Sequence, residues 1–342
     1  MVDHPQEAAK PRHSLLELKE LKTYFYVNEG VLKAVDGVSL SVDEEETLGL
    51  IGESGCGKSV TAHSILRIVP PPGKVVSGEI KLNLGDRIED LAKLSASGNE
   101  IRSIRGKSIS MVFQEPMTSL SPVHSIGDQI REAILLHQTN DKREAQKIAL
   151  DMLDRVGIAN PQQRIKEYPH QLSGGMRQRA MIAMALSCHP KLLIADEPTT
   201  ALDVTVQAQI LELIQELQQQ FHMAMLYITH DLGVIADICH CVSVMYLGKI
   251  VESGSVRDIF YRPLHPYTIR LLASRPTVKK NPSIRLESIV GNVPIPLDTR
   301  PQCGFFERCP EAMAGRCNES VPELIEQEKG HSVRCFLYEK AR

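Results

Sequence analysis

Gly52-Glu-Ser-Gly-Cys-Gly-Lys-Ser59, "GESGCGKS", stands between the apolar run "TLGLI" and the segment "VTAHSILRIV", whose apolar residues recur at helical spacing. It matches G-x-x-x-x-G-K-[ST] at every fixed position, with a strand pattern before it and a helix pattern after it. Gly52, Gly55 and Gly57 let successive backbone N–H groups, from Glu53 and Ser54 through Cys56 to Val60, curl around phosphate oxygens. The following helix turns its positive end toward the same anion. Lys58 then reaches the β- and γ-phosphates, and the Ser59 hydroxyl ligates Mg²⁺. Cys56 fills a position the motif leaves open and has no redox role in this reading.

A phosphate loop needs an acidic partner, and "KLLIADEP" supplies one. Four apolar residues of a buried strand lead to Asp196 and Glu197 where the strand emerges. Asp196 suits the Mg²⁺ shell, and Glu197 suits a general base for the attacking water. Alone, an apolar run ending in Asp-Glu is more often a strand stopping at solvent; the phosphate loop makes the pair informative.

The chain of 342 residues has room for one large domain with an appendage, or for two modest domains. With 42% hydrophobic and 24% charged residues it has an ordinary globular composition, and a net charge of -3 offers no basic footprint for nucleic acid. No apolar run approaches the roughly 18 to 20 residues that span a bilayer, and "MVDHPQEAAKPRHS" lacks an apolar signal core, so a cytoplasmic setting is expected. There the eight cysteines are thiols or metal ligands more readily than disulfides.

Residues 1–13 read as a mobile tail, and 14–262 as the nucleotide-binding domain. Short β-rich runs such as "TYFYV", "VLKAVDGVSLSV" and "SISMVF" come first. A helical insertion follows at about 115–175, typified by "REAQKIALDMLDRVGI". Strand patterns return at "KLLIAD", "AMLYIT" and "CVSVMYLG", alternating with helices, which implies a sheet covered on both faces. The proline-rich segment 263–342 reads as a small irregular extension.

"QLSGGMRQRAMIAMAL" narrows the field. Ser173-Gly174-Gly175, followed by Met176, forms a second anion cradle at a helix start. This stretch resembles the signature sequence of ATP-binding-cassette (ABC) ATPases, in which the cradle meets the γ-phosphate held by a partner subunit. The resemblance implies an α/β P-loop NTPase cassette with a mixed sheet core, an antiparallel β subdomain and a helical insertion. It assigns Gln114 of "VFQEP" to the Q-loop and the Mg²⁺ shell, Ala201-Leu-Asp203 to the D-loop, and His230 of "YITHD" to the switch. Alone each of these is an ordinary loop residue, helix cap or structural hydrogen bonder; their order makes the case. An aromatic upstream of the second strand commonly stacks on adenine in this family. Phe25 is the choice, with Tyr24 and Tyr26 on the opposite strand face.

"QEPMTSLSPVHSIGDQI", "DEPTTALDVTVQAQIL" and "YRPLHPYTIRLLAS" resemble the cassettes of oligopeptide and dipeptide importers. That resemblance implies ATP sandwiched between two cassettes, with closure driving permease opening. It implies a sister ATPase as heterodimer partner, two permease subunits, an external substrate-binding protein, and a peripheral place on the cytoplasmic face of the cell membrane. Peptide is the expected cargo, with oligosaccharide or nickel chelate as alternatives. A soluble cassette of iron–sulfur assembly or nucleic-acid work is the rival of another class, and no nucleic acid is expected as a partner.

Cys303, Cys309, Cys317 and Cys335 crowd into the last 40 residues without C-x2-C knuckles. Four thiolates in a proline-rich segment suit a tetrahedral metal centre that pins a region with little core of its own. "CGFFERCP" and "HSVRC" resemble the extension of peptide-importer ATPases, some of which carry a [4Fe-4S] cluster; zinc and free structural cysteines remain open. Cys239 and Cys241 read as packing residues.

Overall fold

The computed structural model describes residues 14–114, 119–200, 202–274, 289 and 291–339. The expected tail, Ala201 of the D-loop, and residues 115–118 beside Gln114 lie outside them.

Strands β1 (Ser14–Val27), β2 (Gly30–Asp43), β4 (Gly73–Asn83) and β5 (Ile88–Asp90) form an antiparallel sheet in the order β2-β1-β4-β5. Between them run β3 (Thr47–Ile51) and helix α1 (Lys58–Ile65), with the phosphate loop joining the two. Next come the short helix α2 (Asn99–Ile104) and β6 (Ile109–Val112). The helical insertion follows, with α3 (Ile126–His137), α4 (Lys142–Arg155) and α5 (Pro161–Arg164). Then α6 (Gly174–Leu186), β7 (Leu192–Asp196), α7 (Val204–Phe221), β8 (Ala224–Ile228), α8 (Leu232–Ile238), β9 (Cys241–Tyr246) and β10 (Lys249–Ser255) complete the cassette. After α9 (Val256–Tyr261) and α10 (Pro266–Ala273), the chain closes on β11 (Ile325–Glu328) and β12 (His331–Val333).

The second sheet has the order β11-β12-β10-β9-β3-β8-β7-β6. It is parallel from β6 through β9, and antiparallel where β10, β12 and β11 continue it. Every residue of β3, β7 and β8 is buried, which is why those strands read as unbroken apolar runs. Successive side chains leave opposite faces, so each strand feeds two cores. Leu192 and Ile194 pack with the first sheet and α1. Leu193 and Ala195 pack with the helical side.

The insertion folds on the same logic. On α4 the buried residues Ala145, Ala149, Met152 and Leu153 mark one face at helical spacing, and Asp141 caps the start by accepting the Arg143 N–H at 2.8 Å. Met181, in α6, is fully buried in this core.

The extension is irregular over much of its described length, as its prolines imply, yet its end is a continuation of the cassette. Glu252, on β10, is fully buried. Its carboxylate accepts the N–H groups of Leu264 at 2.8 Å and His265 at 2.9 Å, and faces His331 Nε2 at 2.9 Å. One buried acid thus ties β10, the start of α10 and β12 together.

Candidate functional site: a phosphate loop and its acidic wall

The phosphate loop connects the buried end of β3 to α1. Gly57 sits at the helix start with φ of 108°, and a Cβ there would lie 2.2 Å from the Ala34 carbonyl oxygen. Gly52 has φ of 152°, with its would-be Cβ 2.2 Å from the Met245 carbonyl oxygen. Both positions need glycine for conformation and for space. Lys58 is buried, and its ammonium donates to the carbonyls of Gly52 at 2.7 Å and Glu53 at 3.2 Å, so it lies folded over the loop it serves. Cys56 is buried, and burial pushes its thiol up, away from the reactive thiolate.

Asp196 ends β7 beside Ser59, whose hydroxyl hydrogen-bonds its carboxyl. Burial raises the Asp196 pKa, only partly opposed by that bond. Among the described residues its buried Oδ1 has no hydrogen-bond partner. An orphaned carboxylate oxygen beside a hydroxyl fits Mg²⁺, which takes oxygen ligands and would satisfy both. Asp196 and Ser59 are the residues that would hold it.

Glu197 follows with φ of 45°, a left-handed conformation that a bulky residue adopts at a cost. The turn aims its carboxylate at three partners. Gln114 Nε2 donates to Oε2 at 3.0 Å, the Thr200 hydroxyl donates to the same oxygen at 3.0 Å, and His230 Nδ1 lies 3.0 Å from Oε1. Burial pushes this carboxyl up, but the His230 and Thr200 hydrogen bonds outweigh it and hold it below the usual carboxylate range. Glu197 is therefore ionised and able to accept a proton. The chain brings Gln114 to Glu197 across 83 positions and His230 to Glu197 across 33.

The signature cradle is built on this chain and left open by it. Ser173 caps α6, accepting the Met176 N–H at 3.3 Å. Ser173 and Gly174 are exposed, and among the described residues nothing lies within 4 Å of a Cβ built on Gly174. Asp203 caps α7 by accepting the Val206 N–H at 2.9 Å, and Val204 beside it is 83% exposed. Tyr24 donates to Asp36 at 2.6 Å, whereas the Phe25 ring lies against Gly73 and Val69, in the turn after α1.

Two contacts were not legible in the motifs. The Tyr267 hydroxyl accepts the Glu53 N–H at 2.8 Å, and Arg308 grips the Glu53 carboxylate at 2.8 and 3.0 Å. "LHPYTI" contains Tyr267, but its spacing carries no sign of the loop 214 positions earlier. Thr200 was missed too, although it lies three residues beyond Glu197.

Cys303, Cys309, Cys317 and Cys335 lie within electrostatic reach of one another in every pairing. The Cys303 N–H donates to the Cys317 carbonyl at 2.8 Å. Burial, reinforced by the neighbouring sulfurs, pushes Cys303 and Cys335 up to about 11, so both thiols are protonated near neutral pH. Among the described residues no group of three or more His, Cys, Asp or Glu side chains is placed to hold a metal ion. The expected metal centre is thus not formed by these side chains as they stand. Cys239 and Cys241 pack against the cores of the sheet, as expected.

A glycine-lined phosphate loop, an acidic strand end and an open serine-capped helix on one mixed sheet define an ATP-binding cassette. The ABC transporter family profile matches residues 35–200, and that of the oligopeptide/dipeptide transporter C-terminal region matches residues 251–317. The oligopeptide transport ATP-binding protein AppD of Bacillus subtilis is 50% identical over 328 residues, 96% of this chain and 98% of the relative. The dipeptide transport ATP-binding protein DppD of the same organism is 47% identical over 327 residues, 95% of each chain. Among solved structures, the dimeric structure of MJ0796, a bacterial ABC transporter cassette, superposes with a TM-score of 0.62 at 27% identity, over 71% of this chain and 99% of that one. The chain belongs to the ABC transporter family, in the group formed by these transport ATP-binding proteins.

Proposed function

We propose that this chain is the ATP-hydrolysing subunit of a peptide importer. The observation that carries the reading is the convergence of Gln114, Thr200 and His230 on an ionised Glu197, one residue from an Asp196 oxygen that lacks a partner among the described residues. Lys58 and the loop amides take the β- and γ-phosphates. Ser59 and Asp196, with Gln114, would hold Mg²⁺, which would supply neutralisation of the phosphate charge. Glu197 accepts a proton from the attacking water, and His230 orients Glu197. Phe25 is the choice for the adenine.

Ser173 and Gly174 are exposed at the start of α6, which supports a head-to-tail pair in which each cradle closes the other's ATP site. A sister ATPase is the proposed second cassette. Closure of the pair is the stroke that reopens two permease subunits loaded by an external substrate-binding protein. No helix among the described residues is long and apolar enough to cross a membrane, which suits a peripheral subunit at the membrane's inner face. Val123, 73% exposed in the segment after the Q-loop, offers an apolar contact for a permease. Peptide is the cargo that the two transport relatives and the matched C-terminal region favour.

The gathered thiols support a second, narrower reading. All four cysteines of the extension act electrostatically on one another, which supports a [4Fe-4S] cluster held by Cys303, Cys309, Cys317 and Cys335.

Glu197→Gln tests the main reading. Losing the base should lower ATP turnover by about 10² to 10⁴-fold while ATP binding persists. Uptake of a labelled peptide by cells dependent on this chain should stop. Parental hydrolysis by the variant would remove Glu197 from its role, and uptake that survives the loss of hydrolysis would remove the transport reading.

A further inference from the structure

The phosphate loop is braced from behind by the C-terminal extension. Arg308, at the end of the turn Phe306–Arg308, presents a fork to Glu53, with Nη1 on Oε2 at 2.8 Å and Nη2 on Oε1 at 3.0 Å. The side chain is 6% exposed, and its guanidinium also donates to the Tyr246 hydroxyl at 3.2 Å and the Gly291 carbonyl at 3.1 Å. Such a fork fixes a carboxylate in both position and plane. The fully buried Tyr267 takes the Glu53 N–H at 2.8 Å. Tyr246, Tyr267 and Phe305 pack ring on ring, with centroids 4.6 to 5.4 Å apart, and so seat the extension against β9.

Glu53 is an odd residue to find here. Its carbonyl receives the Lys58 ammonium at 3.2 Å, so its own carboxylate sits in the loop that must accept a polyanion. An unpaired negative charge at that place would repel the phosphates, and an untethered side chain would let the loop wander. Arg308 removes both faults at once.

We propose that Arg308, with Tyr267, is a positioning residue of the ATP site, so that the extension sets the affinity of the phosphate loop for nucleotide. Arg308 acts through Glu53, by cancelling its charge and fixing its place. The inference rests on the phosphate-loop reading given above.

The test measures equilibrium binding of a fluorescent ATP analogue, with Mg²⁺, to the full-length chain. Arg308→Met should weaken binding about tenfold, the effect of one uncancelled like charge within about 7 Å at an intermediate dielectric. Arg308→Lys should recover part of that loss, since a point charge replaces the fork. The double variant Arg308→Met with Glu53→Gln should return to within about threefold of the parent, because the repelling charge has gone. A merely structural role predicts no recovery from the second change. Arg308→Met binding within twofold of the parent would overturn the proposal, as would a loss that Glu53→Gln fails to relieve. If Arg308→Met melts before it can be measured, Arg308→Lys alone decides, and parental affinity in it refutes the need for a fork. Lys58→Ala separates the two levels: parental binding there would mean that the phosphate-loop assignment has failed, whatever Arg308 does.

Discussion

Replacing Glu252 by alanine should loosen the whole junction between cassette and extension. The fully buried carboxylate accepts the Leu264 and His265 N–H groups at 2.8 and 2.9 Å and faces His331 Nε2 at 2.9 Å. Alanine leaves those donors buried without an acceptor, and removing one member of a buried polar set of this kind costs about 3–5 kcal/mol. With an unfolding entropy of about 2.1 cal/mol/K per residue, 342 residues give about 0.7 kcal/mol/K. The melting temperature should therefore fall by about 4–7 °C. Glutamine keeps one acceptor oxygen and should fall by roughly half as much. Differential scanning calorimetry measures both. Hydrogen exchange then locates the damage, with the amides of Leu264, His265 and β12 exchanging sooner than those of β7. A melting temperature within 1 °C of the parent (less than about 0.7 kcal/mol by the same entropy), with unchanged exchange at those amides, would refute the claim that this acid joins the three elements.

Two further predictions follow from the same region. His265 is buried, and its Nδ1 accepts the Tyr267 N–H at 3.0 Å, so burial holds its pKa down to about 3. The unfolded chain takes up that proton near pH 6.5 and the folded chain does not, so stability is lost as pH falls from 6.5 toward 3, by about 2 kcal/mol at pH 5. His265→Asn, which keeps an acceptor for the Tyr267 N–H, should lack that slope in urea titrations run at pH 7 and pH 5; an unchanged slope would show that His265 titrates normally. For the thiols, protein purified without oxygen should carry about four irons and four sulfides per chain, lost in Cys317→Ser. Zinc, or no metal, in the parent would end the cluster reading and leave the ATPase untouched.

How much of this could be read beforehand follows from the range over which each feature is determined. The phosphate loop was legible because its function lies in eight consecutive residues whose glycines fix the backbone locally, as Gly52 and Gly57 show. β7 and β8 were legible because strands covered on both faces must be apolar throughout. Glu197 and His230 were legible as types of residue at strand ends, but their 3.0 Å meeting, and the share Thr200 has in it, required the sheet to bring β7 and β8 side by side.

The sequence by itself determined the cassette: the order of its motifs, the glycine-rich loop that joins β3 to α1, and the serine that caps the start of α6. Only the tertiary structure decided how the extension is used. Arg308 meets Glu53 across 255 positions, Tyr267 across 214, and His331 meets Glu252 across 79. Contacts at such separations leave no periodicity or spacing in the chain. They exist because β12 pairs with β10 and because three aromatic rings fill the space beside β9, where packing places a guanidinium against the back of the phosphate loop.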